Sequence, residues 1–568
     1  MKVKFVGATK GVTGSCSLLN HEESNTKLLI DCGGYIVGNN SDWHNNQDFP
    51  FKPKELKYVL LTHAHFDHCG LIPRLYKEGF VGKVYCTRAT AELARIILLD
   101  AAQHSVVFDK YDVKKIKFFY IDNNQKFEWG KPISLENDLR VSFLRSSHIL
   151  GATGININWD FSSDGKGKSI FFSGDIGPNV GQNCYLPLLK ETQYSFPDTN
   201  YMVVESTYGG RVRELGFKSA KERRLILKSI IEKTLFEQNG KLIIPSFSVH
   251  RAQEILVDLY IVLSEYIDKT KLETYLKTRV GYERDSLKVC LDSKMLSQAN
   301  QIYAQELYSQ KSNGSYKYLN DEIEISENVM QELFGKGHCR FDDFDGFIST
   351  LSYSTQSSPA KGKKKFIDYD KEREKQAQQL QNRMLSSSII VSSSGMCDVG
   401  PITSYIRDLG GDKNNTILFT GFMSDGSEGK AILNGQRPYI KASLENMSPF
   451  YSAHADEQGL LDYIFDIGGR EQTGSSNIFI NHGNFECKKN FANAIEERKD
   501  NNIKGNRTIN SIVSLVGDED WFDLNLGRFE KTLSDCGVVK ESEFGEIIMN
   551  LSKQIEEIKI LITEKSSR

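Results

Sequence analysis

The sequence predicts an α/β protein of two large domains and a C-terminal appendage. Three observations carry that reading. Short apolar runs such as residues 58–61 stop at polar, chemistry-bearing positions, as buried strands of a layered fold do. Helix-like segments such as 220–234 alternate with further apolar runs such as 241–245. The length, 568 residues, suits two cores rather than one.

The elements follow in chain order. Met1 to Val6 enter an edge-strand pattern at once, so no signal peptide is expected. Leu28, Leu29 and Ile30 read as a strand ending in Asp31, Cys32, Gly33 and Gly34. The run at 58–61 leads directly into Thr62-His63-Ala64-His65-Phe66-Asp67-His68. Four candidate ligands within six residues at a strand end have no packing explanation. Imidazole and carboxylate suit zinc, with each histidine nitrogen about 2.0–2.1 Å from the metal. His63 and His65 can serve one ion while Asp67 and His68 turn toward a second. Turns such as 162–165 separate the later strands. At the end of the chain, Phe544, Ile547, Ile548, Leu551, Ile555, Ile558 and Ile562 recur at helical spacing. That amphipathic helix is read as docking on its own protein or a partner, or as a homodimer contact.

Composition narrows the class. With 39% apolar and 26% charged residues the chain is an ordinary globular protein. It has no run of about 18 apolar residues, so no membrane span is expected. Ten cysteines without a Cys-x-x-Cys pair read as reduced thiols, hence a cytoplasmic protein. A net charge of −3 gives no overall pull on nucleic acid, so any such binding rests on a local lining. His21, His44, His104 and His338 match no motif and are read as surface or loop residues.

The histidine segment resembles the His-x-His-x-Asp-His signature of the metallo-β-lactamase fold. Other pieces of that pattern stand in order: residues 28–34, 147–152 around His148, 171–177 around Asp175, and 478–483 around His482. The resemblance implies an αββα sandwich and two zinc ions. One ion takes His63, His65 and His148; the other takes Asp67, His68 and His482; Asp175 is shared, and Asp31 orients a ligand. Asp175 and His482 are about 300 residues apart, too far for one loop, so a second domain is inserted there. Residues 205–209, 244–254, 392–396, 419–422 and 451–456 are similar to the motifs of the β-CASP nucleases. The expected division is 1–208 for the first part of the sandwich and 209–447 for the inserted β-CASP domain. Residues 448–527 complete the sandwich, and 528–568 form the helical extension.

The resemblance further implies a hydrolase acting on single-stranded RNA. His482 points to RNA-cleaving members, and residues 64–75 are most similar to the branch resembling the endonuclease subunit of the cleavage and polyadenylation specificity factor. Hydroxide held by the zincs would attack phosphorus in line, leaving a 5′-phosphate and a 3′-hydroxyl. Asp67 belongs to that catalytic centre, His454 is the expected general acid, and Glu205 orients it. Ser392, Ser393, Ser394, Gly395 and Arg251 are candidate RNA-phosphate contacts. Plainer readings stand beside these: Asp31 and Glu205 as turn caps, 392–395 as an ordinary turn, Arg251 paired with a surface carboxylate. Lys361 to Lys365 read as a solvated loop or an RNA-tracking arm. Three alternatives remain: a 5′–3′ exoribonuclease resembling RNase J, a small-molecule hydrolase, and a scaffold without catalysis.

Overall fold

The computed structural model describes residues 1–35, 41–123, 127–136, 138–160, 167–180, 186, 188–193, 199–278, 287–308, 311–312, 315–320, 325, 333–334, 338–340, 348–352, 378, 380–382, 384–385, 387–465, 475–500, 507–513 and 520–530. The lysine run at 361–365 and the helical tail at 544–562 lie outside these residues.

Two mixed sheets form a sandwich. The first has eight strands, in spatial order Arg528–Phe529, Phe522–Asp523, Lys2–Phe5, Ser17–His21, Thr26–Ile30, Leu56–Leu60, Lys83–Cys86 and Phe118–Tyr120. The second has seven, in order Thr508–Val513, Ser475–Asn481, Tyr201–Glu205, Lys168–Phe172, Thr153–Trp159, Leu139–Arg145 and Ile133–Glu136. Side chains alternate across each strand, and the sequence uses that period of two. Leu28, Ile30 and Leu60 point inward and share one core with Ile155, Ile170 and Phe172 of the other sheet. Leu29, Val59 and Leu61 point outward, into a core shared with Ile72, Leu75 and Leu93 of the covering helices. On the far side, Phe171, Val204 and Ile480 pack against Leu460, Ile464, Phe491 and Ile495 of helices Glu457–Ile464 and Phe485–Asp500. The result is the expected αββα layering.

The insertion lies between two adjacent strands. Tyr201–Glu205 runs parallel to Ser475–Asn481, with Glu205 opposite Asn481, and the chain between them builds a third sheet. Its seven strands follow the order His338–Arg340, Ile348–Ser352, Leu287–Asp292, Ile389–Ser392, Leu242–Pro245, Thr416–Phe419 and Ser443–Asn446. All neighbours are parallel except the first pair. Helix Ile402–Leu409 covers one face through Tyr405 and Ile406.

Three details depart from the sequence reading. Lys2–Phe5 is not an edge strand, because Phe522 pairs with Val3 and closes that side. His21 is no surface residue: it ends a strand with 1% exposure and bonds Ser24 Oγ through Nδ1 at 2.7 Å. The helix expected at 220–234 is regular only over Ala220–Ile231 and then widens into a π-turn, Glu232–Glu237.

One buried ion pair ties the inserted domain to the returning chain. Arg223 and Asp258 are both fully buried, and Arg223 donates through Nε at 2.6 Å and Nη2 at 3.2 Å. Tyr451 Oη donates to the same carboxylate at 2.8 Å, three positions before His454. Asp258→Asn leaves a buried guanidinium without its counter-charge, and breaking such a pair costs about 3–5 kcal/mol. Urea unfolding is expected to show that loss as a lower midpoint with an unchanged slope.

Candidate metal centre

The first sheet delivers the histidine cluster. Strand Leu56–Leu60 runs on through Leu61 and Thr62 into the cluster, and His65 immediately precedes a single helical turn, Phe66–Cys69. That turn carries Asp67 and His68 side by side. Gly33 lets the neighbouring loop press onto it: a Cβ there would stand 1.6 Å from the Asp67 carbonyl oxygen. The second sheet supplies the rest, His148 after Leu139–Arg145, Asp175 after Lys168–Phe172 and His482 after Ser475–Asn481. Asp31 and His482 hold left-handed backbone angles, φ 59° and 52°. Asp and His adopt that region more readily than most residues, and such strain gathers where a side chain must be aimed.

The seven predicted ligands converge into two groups. In the first, His65 Nδ1 lies 3.1 Å from His63 Nε2 and 3.0 Å from His148 Nε2. Asp175 Oδ2 faces His63 Nε2 at 3.6 Å and His148 Nε2 at 3.4 Å. In the second, His68 Nε2 is 3.1 Å from His482 Nε2, and Asp67 Oδ2 is 3.7 Å from that same His482 nitrogen. Asp175 Oδ1 reaches this group too, 3.3 Å from His68 Nε2 and 3.6 Å from His482 Nδ1. Asp175 therefore stands between the groups, one oxygen to each.

These residues fit a pair of cations. Two nitrogens bound about 2.0–2.1 Å from one tetrahedral zinc lie about 3.3 Å apart, close to the spacings found. Asp175 Oδ1 is buried without a hydrogen-bond partner. Asp31, Asp67 and Asp175 are drawn inward, yet among the described residues no lysine or arginine pairs with them. Buried carboxylates need a compensating positive charge. The donor atoms are aimed as well. His148 Nδ1–H donates to the Ala453 carbonyl at 2.8 Å, and His68 Nδ1–H donates to Asp31 Oδ2 at 2.7 Å. In both rings the Nε2 lone pair is thereby turned into the cluster. Asp31 is fixed in turn by the Thr62 backbone N–H and hydroxyl, each at 2.8 Å.

The electrostatics agree. Burial pushes His63 and His148 well below the ordinary imidazole range, which keeps them neutral and able to coordinate. At His68 burial is opposed by Asp175 and Asp31, which together hold it well above that range: the site calls for positive charge. Burial also opposes ionisation of Asp175, but the surrounding imidazoles, His482 and His68 foremost, keep it well below the usual carboxylate range. Since Asp31 orients His68 without itself entering the ligand groups, Asp31→Ala is expected to lower metal affinity about 10–100-fold. Equilibrium dialysis against a competing chelator reads that shift.

Beside the ligands stands a second pair. His454 Nδ1–H donates to Glu205 at 3.1 Å, and its Nε2 faces Asp175 Oδ2 at 3.9 Å. Glu205 accepts from the backbone N–H of Ile176 at 2.6 Å and of Thr207 at 3.2 Å, so its carboxylate is fixed in place. Burial works against protonation of His454, but Glu205 and then Asp175 outweigh it and push the imidazole up to about 10.

The expected phosphate contacts form a separate group at the carboxyl ends of the third sheet's strands. Ser392 is fully buried, and its hydroxyl donates to the Asp292 carbonyl at 2.9 Å. The Ser393 carbonyl accepts from Ile402 N–H at 3.0 Å, and Ser394 Oγ is buried without a partner. Gly395 follows in the same turn. Arg251 begins helix Arg251–Ile261, is 5% exposed and lies over the Tyr451 ring at 5.4 Å, with Nη1 unpartnered. Sequence reasoning missed Thr62, the Ala453 carbonyl and Tyr208, whose ring sits 5.6 Å from that of His454. All three lie inside quoted motifs without a role assigned to them, and nothing in a sequence marks a carbonyl as a histidine's acceptor.

Fold and site together define a metallohydrolase with a two-group histidine and aspartate centre at the rim of an αββα sandwich. The chain belongs to the metallo-β-lactamase superfamily, in the branch that carries a β-CASP domain. Residues 9–182 match the metallo-β-lactamase superfamily, 252–432 the β-CASP domain, and 437–504 a Zn-dependent metallo-hydrolase RNA specificity domain. Among curated relatives, Ribonuclease TTHA0252 of Thermus thermophilus is 27% identical over 86% of this chain and 94% of its own length. Transcription termination factor FttA of a Lokiarchaeum species is 26% identical over 85% of this chain, which spans 66% of that protein's length. An RNase J-like protein of Methanocaldococcus jannaschii is 26% identical over 87% of the chain and 95% of its own.

Proposed function

We propose that this protein is a zinc-dependent ribonuclease that hydrolyses phosphodiester bonds of single-stranded RNA, cutting internally and leaving 5′-phosphate and 3′-hydroxyl ends. The observation that carries the proposal is Asp175 standing between two ligand groups while the Glu205–His454 pair is aimed at it. Two zinc ions, when bound, supply an activated water and neutralise charge on the phosphoryl group. One ion would be held by His63, His65 and His148 and the other by Asp67, His68 and His482, with Asp175 available to both.

The chain's own residues supply the rest. In-line displacement expels the 3′ oxygen as an alkoxide, which needs a proton. His454 holds that proton on Nε2, the nitrogen facing the centre, because Nδ1–H is committed to Glu205. Glu205, anchored by two backbone amides, fixes the ring and favours its protonated form. Arg251 and the turn bearing Ser393, Ser394 and Gly395 are assigned to strand phosphates further from the cut. Domain limits of 1–208, 209–447, 448–527 and 528–568 belong to this reading. So does a cytoplasmic location, which the free cysteines support: seven, all buried, among the described residues. No helix among these residues is long and apolar enough to cross a membrane.

A pH prediction follows from the pair. His454 is held up chiefly by Glu205, so the alkaline fall of kcat marks loss of its proton. Glu205→Gln removes the carboxylate, and that limb is expected to move to lower pH; an unmoved limb contradicts the assignment. The substrate class is tested by incubating zinc-loaded protein with single-stranded RNA, matched DNA and a chromogenic β-lactam. Ribonuclease activity predicts turnover of RNA foremost. β-Lactam turnover with inert RNA would make it a small-molecule hydrolase.

A further inference from the structure

Next to the metal centre lies a cavity of about 390 Å³ that the reaction above does not use. It is lined by Tyr35, Phe66 and Phe108 with His104, Ser105 and Val106, among others. We propose that it is a nucleobase subsite, taking the base of a nucleotide adjacent to the scissile phosphate. The inference rests on the ribonuclease reading and deepens it, since it assigns the pocket that grips the strand beside the cut.

Position is the first argument. Phe66 lies between His65 and Asp67, one residue from each ligand group, in the single turn Phe66–Cys69. Consecutive Cα atoms are about 3.8 Å apart, so the backbone of Phe66 joins the cavity's lining directly to a ligand of each group. A nucleotide whose phosphate meets the ligands would extend its base past Phe66 into the cavity. The loop of residues 7–14 binds the two places together from the other side. Its Ala8 carbonyl accepts from the His482 backbone N–H at 3.1 Å, while Gly14 supports the Tyr35 ring. Gly14 has φ +74°, and a Cβ there would stand 2.6 Å from Tyr35 Cε2, so only glycine allows the contact.

Chemistry is the second argument. The cavity falls within the range of about 300–1,000 Å³ usual for small-ligand pockets, and like them it is mostly apolar with a few polar groups. Phe66 offers aromatic surface, Phe108 backs the cavity from the core at 3% exposure, and Tyr35 is already stacked on His44, ring centroids 4.6 Å apart and planes 17° apart. Every base has a π-face, which makes aromatic walls suitable for holding single strands. His104 and Ser105 supply hydrogen-bonding groups for a base edge, and the rim is open, with Val106 68% exposed. No aspartate, glutamate, lysine or arginine is among the described lining residues. The described lining thus suits a neutral guest such as a base rather than a phosphate. The Asn45 side chain shapes the wall rather than reading the guest: it accepts from Tyr35 N–H at 2.7 Å and donates to the Tyr35 carbonyl at 3.0 Å.

The test is an abasic scan on full-length, zinc-loaded protein. Single-stranded RNAs carry one abasic site in turn at each of the three nucleotides on either side of a mapped cut. One position is expected to lower kcat/KM by roughly tenfold, the usual scale of one base-stacking contact. Ala101→Phe fills the cavity and His104→Ala removes a polar group from its exposed rim; both should shrink that abasic penalty, the first to about onefold. A second readout needs no turnover: 2-aminopurine at the same position, bound in the presence of chelator, is quenched by the wild type and not by Ala101→Phe. RNA cut with no abasic penalty anywhere, or a penalty that survives Ala101→Phe together with the quench, overturns the subsite and leaves the ribonuclease reading intact. RNA that neither binds nor is cut removes both.

Discussion

Asp175→Ala is expected to abolish RNA cleavage and to strip zinc from the protein. The side chain gives one oxygen to each ligand group, so its loss would weaken both proposed zinc positions at once. Lewis-acid stabilisation is worth several kcal/mol and each 1.36 kcal/mol is tenfold in rate, so the fall is at least about a thousandfold. Metal analysis of the purified variant by mass spectrometry should find less than two zincs per chain. The fold should survive, because Asp175 lies after the strand Lys168–Phe172 rather than inside a core cluster. A variant that keeps both ions and cleaves at the wild-type rate is incompatible with a shared aspartate.

His454→Ala separates catalysis from metal binding. His454 belongs to neither of the two ligand groups, and its Nδ1 is committed to Glu205. The variant should therefore retain its zinc while kcat drops about 10²–10⁴-fold, the usual worth of a placed general acid. An RNA whose 3′-bridging oxygen at the cut is replaced by sulfur distinguishes the role, since a thiolate leaves without a proton. The variant's deficit should shrink sharply on that substrate. An equal deficit on both substrates assigns His454 a positioning role instead.

Much of the centre was legible because ligand chemistry is local. Four of the seven ligands fall between His63 and His68, and the strand before them announces itself by apolar residues alone. His148, Asp175 and His482 were reached only through resemblance, for no spacing rule joins residues so far apart in the chain. The αββα sandwich, like those three ligands, came from resemblance; Leu28, Leu29 and Ile30 are apolar throughout, and only the structure shows that they feed cores on opposite faces. What stayed hidden is what tertiary contact decides. Nothing in Met1 to Val6 foretells that Phe522 will cover that strand. His21 looked like a loop residue because a polar ring in a strand gives no sign that Ser24 will satisfy it. The π-turn after Ile231 lies in a sequence with ordinary helical periodicity. The cavity beside Phe66 is assembled from four separate stretches of chain, and only the one bearing Phe66 carries a motif.

The central claim, a metal-dependent nuclease acting inside an RNA strand, is tested most directly with one substrate. A single-stranded RNA is labelled internally and blocked at both ends, then incubated with wild-type protein, with Asp175→Ala and with chelator present. Internal cuts bearing 5′-phosphate and 3′-hydroxyl ends, absent from the variant and the chelator lane, are the predicted result. An inert blocked RNA alongside mononucleotide release from a free 5′-phosphate end would contradict internal cutting and make the protein a 5′–3′ exonuclease. Cleavage that persists in chelator and in the variant would contradict the metal centre itself.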